Sequence, residues 1–408
     1  MTYYESYDIE RITKLVHGTS KGLFLGYGAI QKFGEIIDDL KPSCIGFVTS
    51  STAYKRCGAW DVIETAMNER GIPHLLYDKI STNPMVEMID EAVALFRSKY
   101  DENFVVCSIG GGSPGDSAKS IAVLLAHPEA NANARALYMG TFTAERRAKL
   151  VMVNITHGTG TECDMFAVAS ILTGEEYPFK PALATPVIYP DYSIDDVNAM
   201  LSMSADMIRF TSIDALNHVM EAATTICSTP YSCTLAREVV LLVHRYLPIA
   251  LKDPQHRRAR YWLTYAAAIA GMAFDESLLH LTHALEHTLS AYKPHLIHGQ
   301  GLALLQPAVL KHIWPKVCGL MPDLFRPILG SLQGTPEEAQ KAFDRMRAFH
   351  NKVGFTGTLA DLGFSKDDID VLTEATWACP GMMGLLALSP VPCEKEDARR
   401  IFQEAFYE

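Results

Sequence analysis

No apolar run in this 408-residue chain approaches the roughly 18–20 residues that a membrane span requires, so an integral membrane protein is not expected. There is no excess of basic residues. The 36 Lys and Arg against 47 Asp and Glu leave a formal net charge of -11, which speaks against a nucleic-acid partner or an anionic membrane surface. No C-x-x-C pair occurs among the nine cysteines, which stand singly and in odd number; a disulfide framework is not expected, and a reducing cytoplasm is. The opening stretch MTYYESYDIERITKLVHG is broken by charges throughout and does not read as a signal peptide. Internal repeats and low-complexity tracts are also missing.

What remains is a globular composition, 48% hydrophobic and 20% charged, on a chain long enough for two domains. From Lys32 to about Val153, short apolar runs alternate with helical spacing. Ser43–Thr49, His74–Tyr77, Phe104–Ile109 and Lys149–Ile155 read as buried strands, with Pro84–Ser98 and Pro114–Ala126 as helices between them. That alternation predicts a parallel sheet covered on both faces, with ligand loops after the strands. After about Asp191 the grammar becomes helical: Thr211–Thr225, Ser232–Ala250, Arg257–Leu289 and Thr335–Lys352 carry it, with Pro230, Pro254, Pro294, Pro315 and Gly354 as helix ends. The boundary is expected between 190 and 200, near the Pro186–Pro190 loop, giving an α/β domain at 1–195 and an all-α domain at 196–408.

Two loops carry phosphate chemistry. Val105–Lys119 (VVCSIGGGSPGDSAK) runs a strand into three glycines and then a helix, with Ser113 as the expected N-cap and Pro114 as the first helical residue. Glycines admit an anion close to the backbone, and a helix N-terminus points unpaired N–H groups at it. The run lacks the G-K-[ST] of a Walker loop, and is set apart from the usual dinucleotide G-x-G-x-x-G. After the next strand, Thr156-His157-Gly158-Thr159-Gly160-Thr161 offers hydroxyl and backbone donors to the same ligand. Either loop alone is equally well read as a plain turn.

The histidines are the stronger signal. Asp214 and His218 stand four apart, one helical turn, so both point the same way. His280, His283 and His287 follow at i, i+3 and i+7 on one face, and His295 and His298 come next; five of fourteen histidines fall between 280 and 298. A single histidine on an apolar helix is usually a core residue, but this constellation suits a borderline divalent ion held by nitrogen and oxygen. His280 and His295 stand as bystanders.

These residues resemble the iron-containing (group III) alcohol dehydrogenases, of the dehydroquinate synthase-like fold. The resemblance runs from the Gly26-Tyr27-Gly28 strand end through GGGSPGDSAK at 110–119, DALNHVMEA at 214–222 and the H-x-x-x-H pattern closing on His298-Gly299. Beyond about Pro307 the likeness is only one of helical character. It implies a dinucleotide-binding domain, a helical metal- and substrate-binding domain, and an active site between them. On that basis Asp214, His218, His283 and His298 are the metal ligands and His287 assists proton transfer. Gly111, Gly112, Ser113 and Asp116 form the pyrophosphate turn, and Asn83, Thr156, Thr159 and Lys180 are cofactor neighbours. The implied cofactors are NAD or NADP and Fe²⁺, with Zn²⁺ also accepted by this ligand set. The implied reaction interconverts a primary alcohol, diol or hydroxy acid with its carbonyl form. The cysteine usage adds the cytoplasm as the expected compartment, and a homodimer is the default assembly.

Three departures qualify the resemblance. Ser50 stands where many relatives carry an Asp against the adenosine ribose, which removes a repulsion and admits a 2′-phosphate. Asn154-Ile155-Thr156 replaces a Pro-Thr-Thr, and one extra residue lies between His287 and His298. A zinc-dependent polyol dehydrogenase or an NAD-using cyclase of the same fold, and from another class a metallohydrolase, stay open on the sequence.

Overall fold

The computed structural model describes residues 2–129 and 131–406. Among them are the strands β1 (Thr13–Leu15), β2 (Gly22–Gly26), β3 (Ile45–Thr49), β4 (His74–Tyr77), β5 (Val105–Gly110), β6 (Lys149–Asn154), β7 (Phe166–Val168), β8 (Ala182–Ala184) and β9 (Tyr192–Asp196). Seven form one sheet in the order β1-β2-β9-β6-β5-β3-β4, parallel throughout except for the β1–β2 edge. β7 and β8 pair separately as an antiparallel hairpin.

The apolar runs become strands because the central strands are covered on both faces; every residue of β3 and β5 is buried. One cluster, including Phe33, Ile37, Phe47, Trp60 and Ile63, packs one face. The opposite face belongs to a larger cluster that continues into the helices of the C-terminal half. Periodicity did not mark β2 or β9. β9 reads YSIDD because its end is polar by design: Asp196 accepts the N–H groups of Gly28, Ile30 and Asn198, and Asp195 accepts the Asn154 amide. β9 runs through the division expected at 195/196.

Register aligns the carboxyl ends of the strands. Thr49 pairs with Ile109, Gly110 with Asn154, and Asn154 with Asp195, so Ser50, the glycine turn and the threonine loop emerge along one edge. Strand order reverses between β3 and β5, the switch point where an open α/β sheet forms its ligand crevice.

The helical half is built around Ala205–Thr224, which starts six residues before the expected Thr211. It is capped by the Ser204 hydroxyl, which accepts the Met207 N–H. Phe210 to Thr224 is buried without interruption, the mark of a central helix. Around it lie Pro230–Lys252, Arg257–Ser277, Leu281–Tyr292 and His298–Val317.

Two expectations fail here. Arg257–Leu289 is two helices, broken where Leu278 takes φ 70 and His280 leaves helical geometry, so His280 sits ahead of the His283 face rather than on it. Pro315 does not end a helix; it and Pro307 lie inside His298–Val317. Pro307 cannot bond the carbonyl four residues back, that of Ala303, and the buried His350 ring hydrogen-bonds the Ala303 backbone in its place.

The halves meet closely where the threonine loop crosses the Arg257–Ser277 helix. A Cβ added at Gly271 would lie 2.8 Å from the Gly160 Cα, so neither position has room for a side chain. Gly271→Val is expected to destabilise the fold by about 1–3 kcal/mol through overpacking. Urea unfolding of the variant checks this, and an unchanged midpoint would show that the contact carries no strain.

Candidate metal centre and dinucleotide cleft

Three helices converge on one buried carboxylate. Asp214 and His218 come from Ala205–Thr224, one turn apart, and their facing atoms, Asp214 Oδ1 and His218 Nε2, are 3.3 Å apart. His283 Nε2 lies 3.7 Å and His298 Nε2 3.9 Å from the same oxygen. Donors held at about 2.0–2.2 Å around a tetrahedral ion stand roughly 3.3–3.6 Å from each other, close to this spacing. Asp214 Oδ1 and His283 Nε2 are buried and have no hydrogen-bond partner. Unpaired buried polar atoms that face each other are costly unless something binds between them. The all-nitrogen-and-oxygen donor set therefore fits a divalent cation.

Behind these groups stand two carboxylates that sequence reasoning passed over. Glu221 accepts a short hydrogen bond from His283 Nδ1 and another from the Thr282 N–H at 2.5 Å, so it orients the ring and serves the N-terminus of the Leu281–Tyr292 helix together. Glu286 lies against His298 Nδ1 and accepts the Ser290 hydroxyl at 2.5 Å. Both were legible in principle: Glu221 is two turns after Asp214, and Glu286 is one turn after His283, each an acid on an otherwise apolar helix. Phe274, whose ring lies 4.5 Å from that of His218, was not.

The electrostatics follow from burial. Desolvation raises the Asp214 carboxyl, but His218, His283 and His298 together pull it well below the usual carboxylate range. Burial pushes His218 down to about 4. Burial also opposes charge on His283, yet Glu221 and Asp214 raise it to about 9. His287 is held well below its ordinary value, chiefly by burial and then by Lys180 and the neighbouring histidines. Its ring centre lies 5.7 Å from that of His298 and 6.3 Å from that of His283. His280 faces away, its Nε2 2.9 Å from the Thr224 hydroxyl, and His295 is exposed.

A cavity of about 420 Å³ connects this centre to the sheet edge. Gly112, Ser113, Asp116, Thr159, Lys180 and Asn83 line it on the α/β side, and the imidazoles of His218, His283, His287 and His298 on the other. The Thr159 hydroxyl is buried without a partner and offers a donor to a ligand. Gly111 and Thr156 flank this wall: a Cβ at Gly111 would lie 2.4 Å from the Thr156 hydroxyl, so the two loops interlock. Ser50 directly follows β3, at the same sheet edge, and is not a wall residue.

Several expectations change in detail. The helix begins at Gly112 with Gly111 as its cap, so Ser113 is not the N-cap; glycine geometry turns the chain two residues earlier than a serine cap would. The turn is also not distinct from the dinucleotide fingerprint, since Gly110, Gly112 and Gly115 have G-x-G-x-x-G spacing. A Cβ at Gly115 would lie 2.6 Å from Met152 on β6, the close helix–strand approach that the third glycine serves. Asp116 lines the cavity, but its oxygens accept from the Thr161 hydroxyl at 2.6 Å and the Val168 N–H at 3.0 Å, so the carboxylate ties the loops together. Asn83 donates its amide to the Pro294 and Leu296 carbonyls. The far wall comes from residues with no sequence signal, Leu278, Leu279, Pro380, Met382, Leu385 and Leu388.

A parallel sheet with a glycine turn at its switch point, joined by one cleft to a buried histidine–carboxylate centre, defines a metal-dependent, dinucleotide-linked oxidoreductase. Residues 20–197 match the family model described as iron-containing alcohol dehydrogenase. Residues 208–406 match the C-terminal model of the Fe-containing alcohol dehydrogenase family, which extends the likeness well beyond Pro307. A long-chain primary alcohol dehydrogenase of Thermoanaerobacter ethanolicus is 45% identical over 94% of this chain and 95% of its own length. Long-chain-alcohol dehydrogenase 1 of Geobacillus thermodenitrificans is 28% identical over 94% of each. Among solved structures, NADH-dependent butanol dehydrogenase A of Thermotoga maritima superposes with a TM-score of 0.86 at 25% identity, covering 98% of this chain and 99% of that one. The chain belongs to the iron-containing alcohol dehydrogenase family.

If Glu286 orients His298, Glu286→Ala should weaken divalent-metal affinity by about 10–100-fold, the usual cost of losing a group that orients a ligand. Competition against a chromogenic chelator measures it; wild-type affinity in the variant would make Glu286 a bystander.

Proposed function

We propose that this enzyme oxidises and re-forms primary alcohols bearing an apolar chain, with NAD or NADP as hydride carrier and Fe²⁺ as the resident metal. The supporting observation is the single cleft whose floor holds the unpaired Asp214 and His283 atoms and whose α/β wall holds the glycine turn. Asp214, His218, His283 and His298 would hold the metal, and Zn²⁺ suits the same donors. When bound, the ion supplies Lewis acidity at the alcohol or carbonyl oxygen, and the nicotinamide supplies the hydride chemistry.

The chain's own residues do the rest. Asp214 and the three imidazoles fix where the reacting oxygen sits, and Glu221 and Glu286 keep two of those rings from turning. The helix starting at Gly112 and the Thr159 hydroxyl present donors to a pyrophosphate. Residues 1–195 take the role of dinucleotide domain and 196–408 that of metal and substrate domain. His287 lines the cleft beside His298 and is placed to relay the alcohol proton; burial and the nearby Lys180 disfavour its protonated form, so the proton passes through the ring rather than resting on it. Ser50 puts no carboxylate at the sheet edge, which leaves both nucleotides admissible. The wall of Leu278, Leu279, Met382, Leu385 and Leu388 matches an alkyl chain better than a polyol. That agrees with the long-chain substrates named for two of the relatives.

Nine free cysteines support a reducing, cytoplasmic setting, and no described helix is long and apolar enough to cross a membrane. A homodimer, the commonest symmetric assembly, completes the proposal and is open to light scattering.

The deciding experiment mixes anaerobic, Fe²⁺-loaded enzyme with NAD or NADP and primary alcohols from two to twelve carbons. Nicotinamide absorbance is followed with a chelator control. Chelator-sensitive reduction that improves with chain length is expected; none with any alcohol, despite bound metal and nucleotide, would return the cyclase and hydrolase readings. His287→Ala should retain its metal while turnover falls by about 10²-fold or more. Loss of metal in that variant would make His287 a ligand instead.

A further inference from the structure

Asn83 is remote from the metal-centre residues in sequence, yet the fold brings it to the cleft beside the loop that leads into His298. It lies in the loop between β4 and the Val86–Arg97 helix, it is buried, and it takes φ 50, a left-handed conformation that few residues other than glycine accept. Its backbone neighbours are pinned on one side: the Ser170 N–H donates to the Pro84 carbonyl at 2.7 Å, and the Val86 N–H to the Ser170 carbonyl at 3.1 Å. Its side chain is spent on the other side, where Nδ2 donates to the Pro294 carbonyl at 3.1 Å and the Leu296 carbonyl at 3.0 Å. These acceptors belong to the loop that joins the His283 helix to the His298 helix, and Leu296 is two residues from His298.

The loop has other supports, the Lys293 ammonium on the Gly363 carbonyl and the buried Leu296 side chain, but the Asn83 amide is its tie to the segment that lines the cleft. At the start of the His298 helix, a Cβ at Gly299 would lie 2.0 Å from the Phe210 carbonyl oxygen, so the helix end rests directly on the Asp214 helix and cannot move inward. The Asn83 amide ties the loop just before that helix end to the cleft wall. Asn83 and Pro84 both line the cleft, so a dinucleotide lying there touches the same segment that holds the His298 loop.

We propose that Asn83 is a positioning residue, a latch whose amide links nucleotide occupancy of the cleft to retention of the metal at His298. The latch rests on the metal-and-dinucleotide reading of the cleft. A nucleotide packed against the 83–84 segment steadies the left-handed turn, the turn steadies the Pro294–Leu296 loop, and the loop holds His298 in register with Asp214. Because such coupling is reciprocal, bound metal tightens nucleotide binding by the same factor that nucleotide tightens metal binding.

The test measures both affinities in wild type, Asn83→Asp and Asn83→Gly. The aspartate keeps the shape and removes both donors; the glycine removes the side chain and accepts the positive φ, so a folded variant is available even if the aspartate repels the two carbonyls. NADH and NADPH binding is followed by nicotinamide fluorescence with and without Zn²⁺, and Zn²⁺ binding by chelator competition with and without each nucleotide. Melting temperatures confirm the fold. In wild type, each ligand should tighten the other within the usual range of about 5- to 150-fold. In the variants that factor should fall to within about twofold of one. An unchanged factor in the folded variants, or no coupling in wild type, overturns the latch while leaving the metal-and-dinucleotide reading intact. Wild-type protein that binds neither Zn²⁺ nor nucleotide overturns both.

Discussion

The arrangement depends on holding one carboxylate oxygen, Asp214 Oδ1, buried and unpaired with three imidazoles aimed at it. Such a point is expensive, because each buried polar atom without a partner costs about 1–3 kcal/mol. The fold meets that cost with stiffness. Asp214 is on a helix buried without interruption from Phe210 to Thr224, the His283 helix begins on the Glu221 carboxylate, and the His298 helix is pressed against the Phe210 carbonyl. The other two helices are thus both braced against the Asp214 helix.

The α/β half meets the same need by other means. Its ligand edge is composed of loops, which are soft unless tied, and the ties are polar and internal. Asp116 joins the glycine-turn helix to Thr161 and Val168. Lys119, fully buried, donates to the Asp164 carboxylate at 2.6 Å and to the Phe166 carbonyl at 2.6 Å. Several polar residues of the GGGSPGDSAK motif thus hold the loop in shape, while Ser113 and the helix N-terminus face the cleft. A motif can be specific for a function although half of its side chains never touch the ligand.

That division explains what could be read from the sequence. Strands β3, β5 and β6 were legible because burial on both faces forces a continuous apolar run. His74–Tyr77 was found as a strand too, but as β4 it forms the sheet edge with His74 exposed, so it is not the buried strand expected. β9 was not legible, since Asp195 and Asp196 look like loop residues until their backbone and amide partners are known. Helical spacing drew attention to Asp214 with His218 and to the His283 face, because it fixes which side chains share a face, whereas the grouping of His298 with them came from the family resemblance. His280 broke that rule because the positive φ at Leu278 ends the helix before it, and no local residue type announces that break. The apolar wall from Pro380 to Leu388 was beyond reach, being a long-range contact with no periodic signature. Asn83 was placed at the cleft correctly, yet its partners at Pro294 and Leu296 lie over two hundred residues away.

Charge accounting shows why the centre is built for a cation of a particular valence. Asp214, Glu221 and Glu286 bring three formal negative charges into a buried space, and Lys180, whose ammonium lies 4.0 Å from Glu286, brings one positive charge. The imidazoles carry none when they act as nitrogen donors. Two negative charges are left over. Glu221 and Asp214 raise His283 to about 9 against the cost of its burial, so the surrounding carboxylates favour positive charge at that point. A monovalent ion would leave the surplus half matched, and a trivalent one would overshoot in a region where unmatched charge is costly. A divalent ion would offset the two charges left over in this set of groups. Which divalent metal binds is then decided by ligand preference and supply.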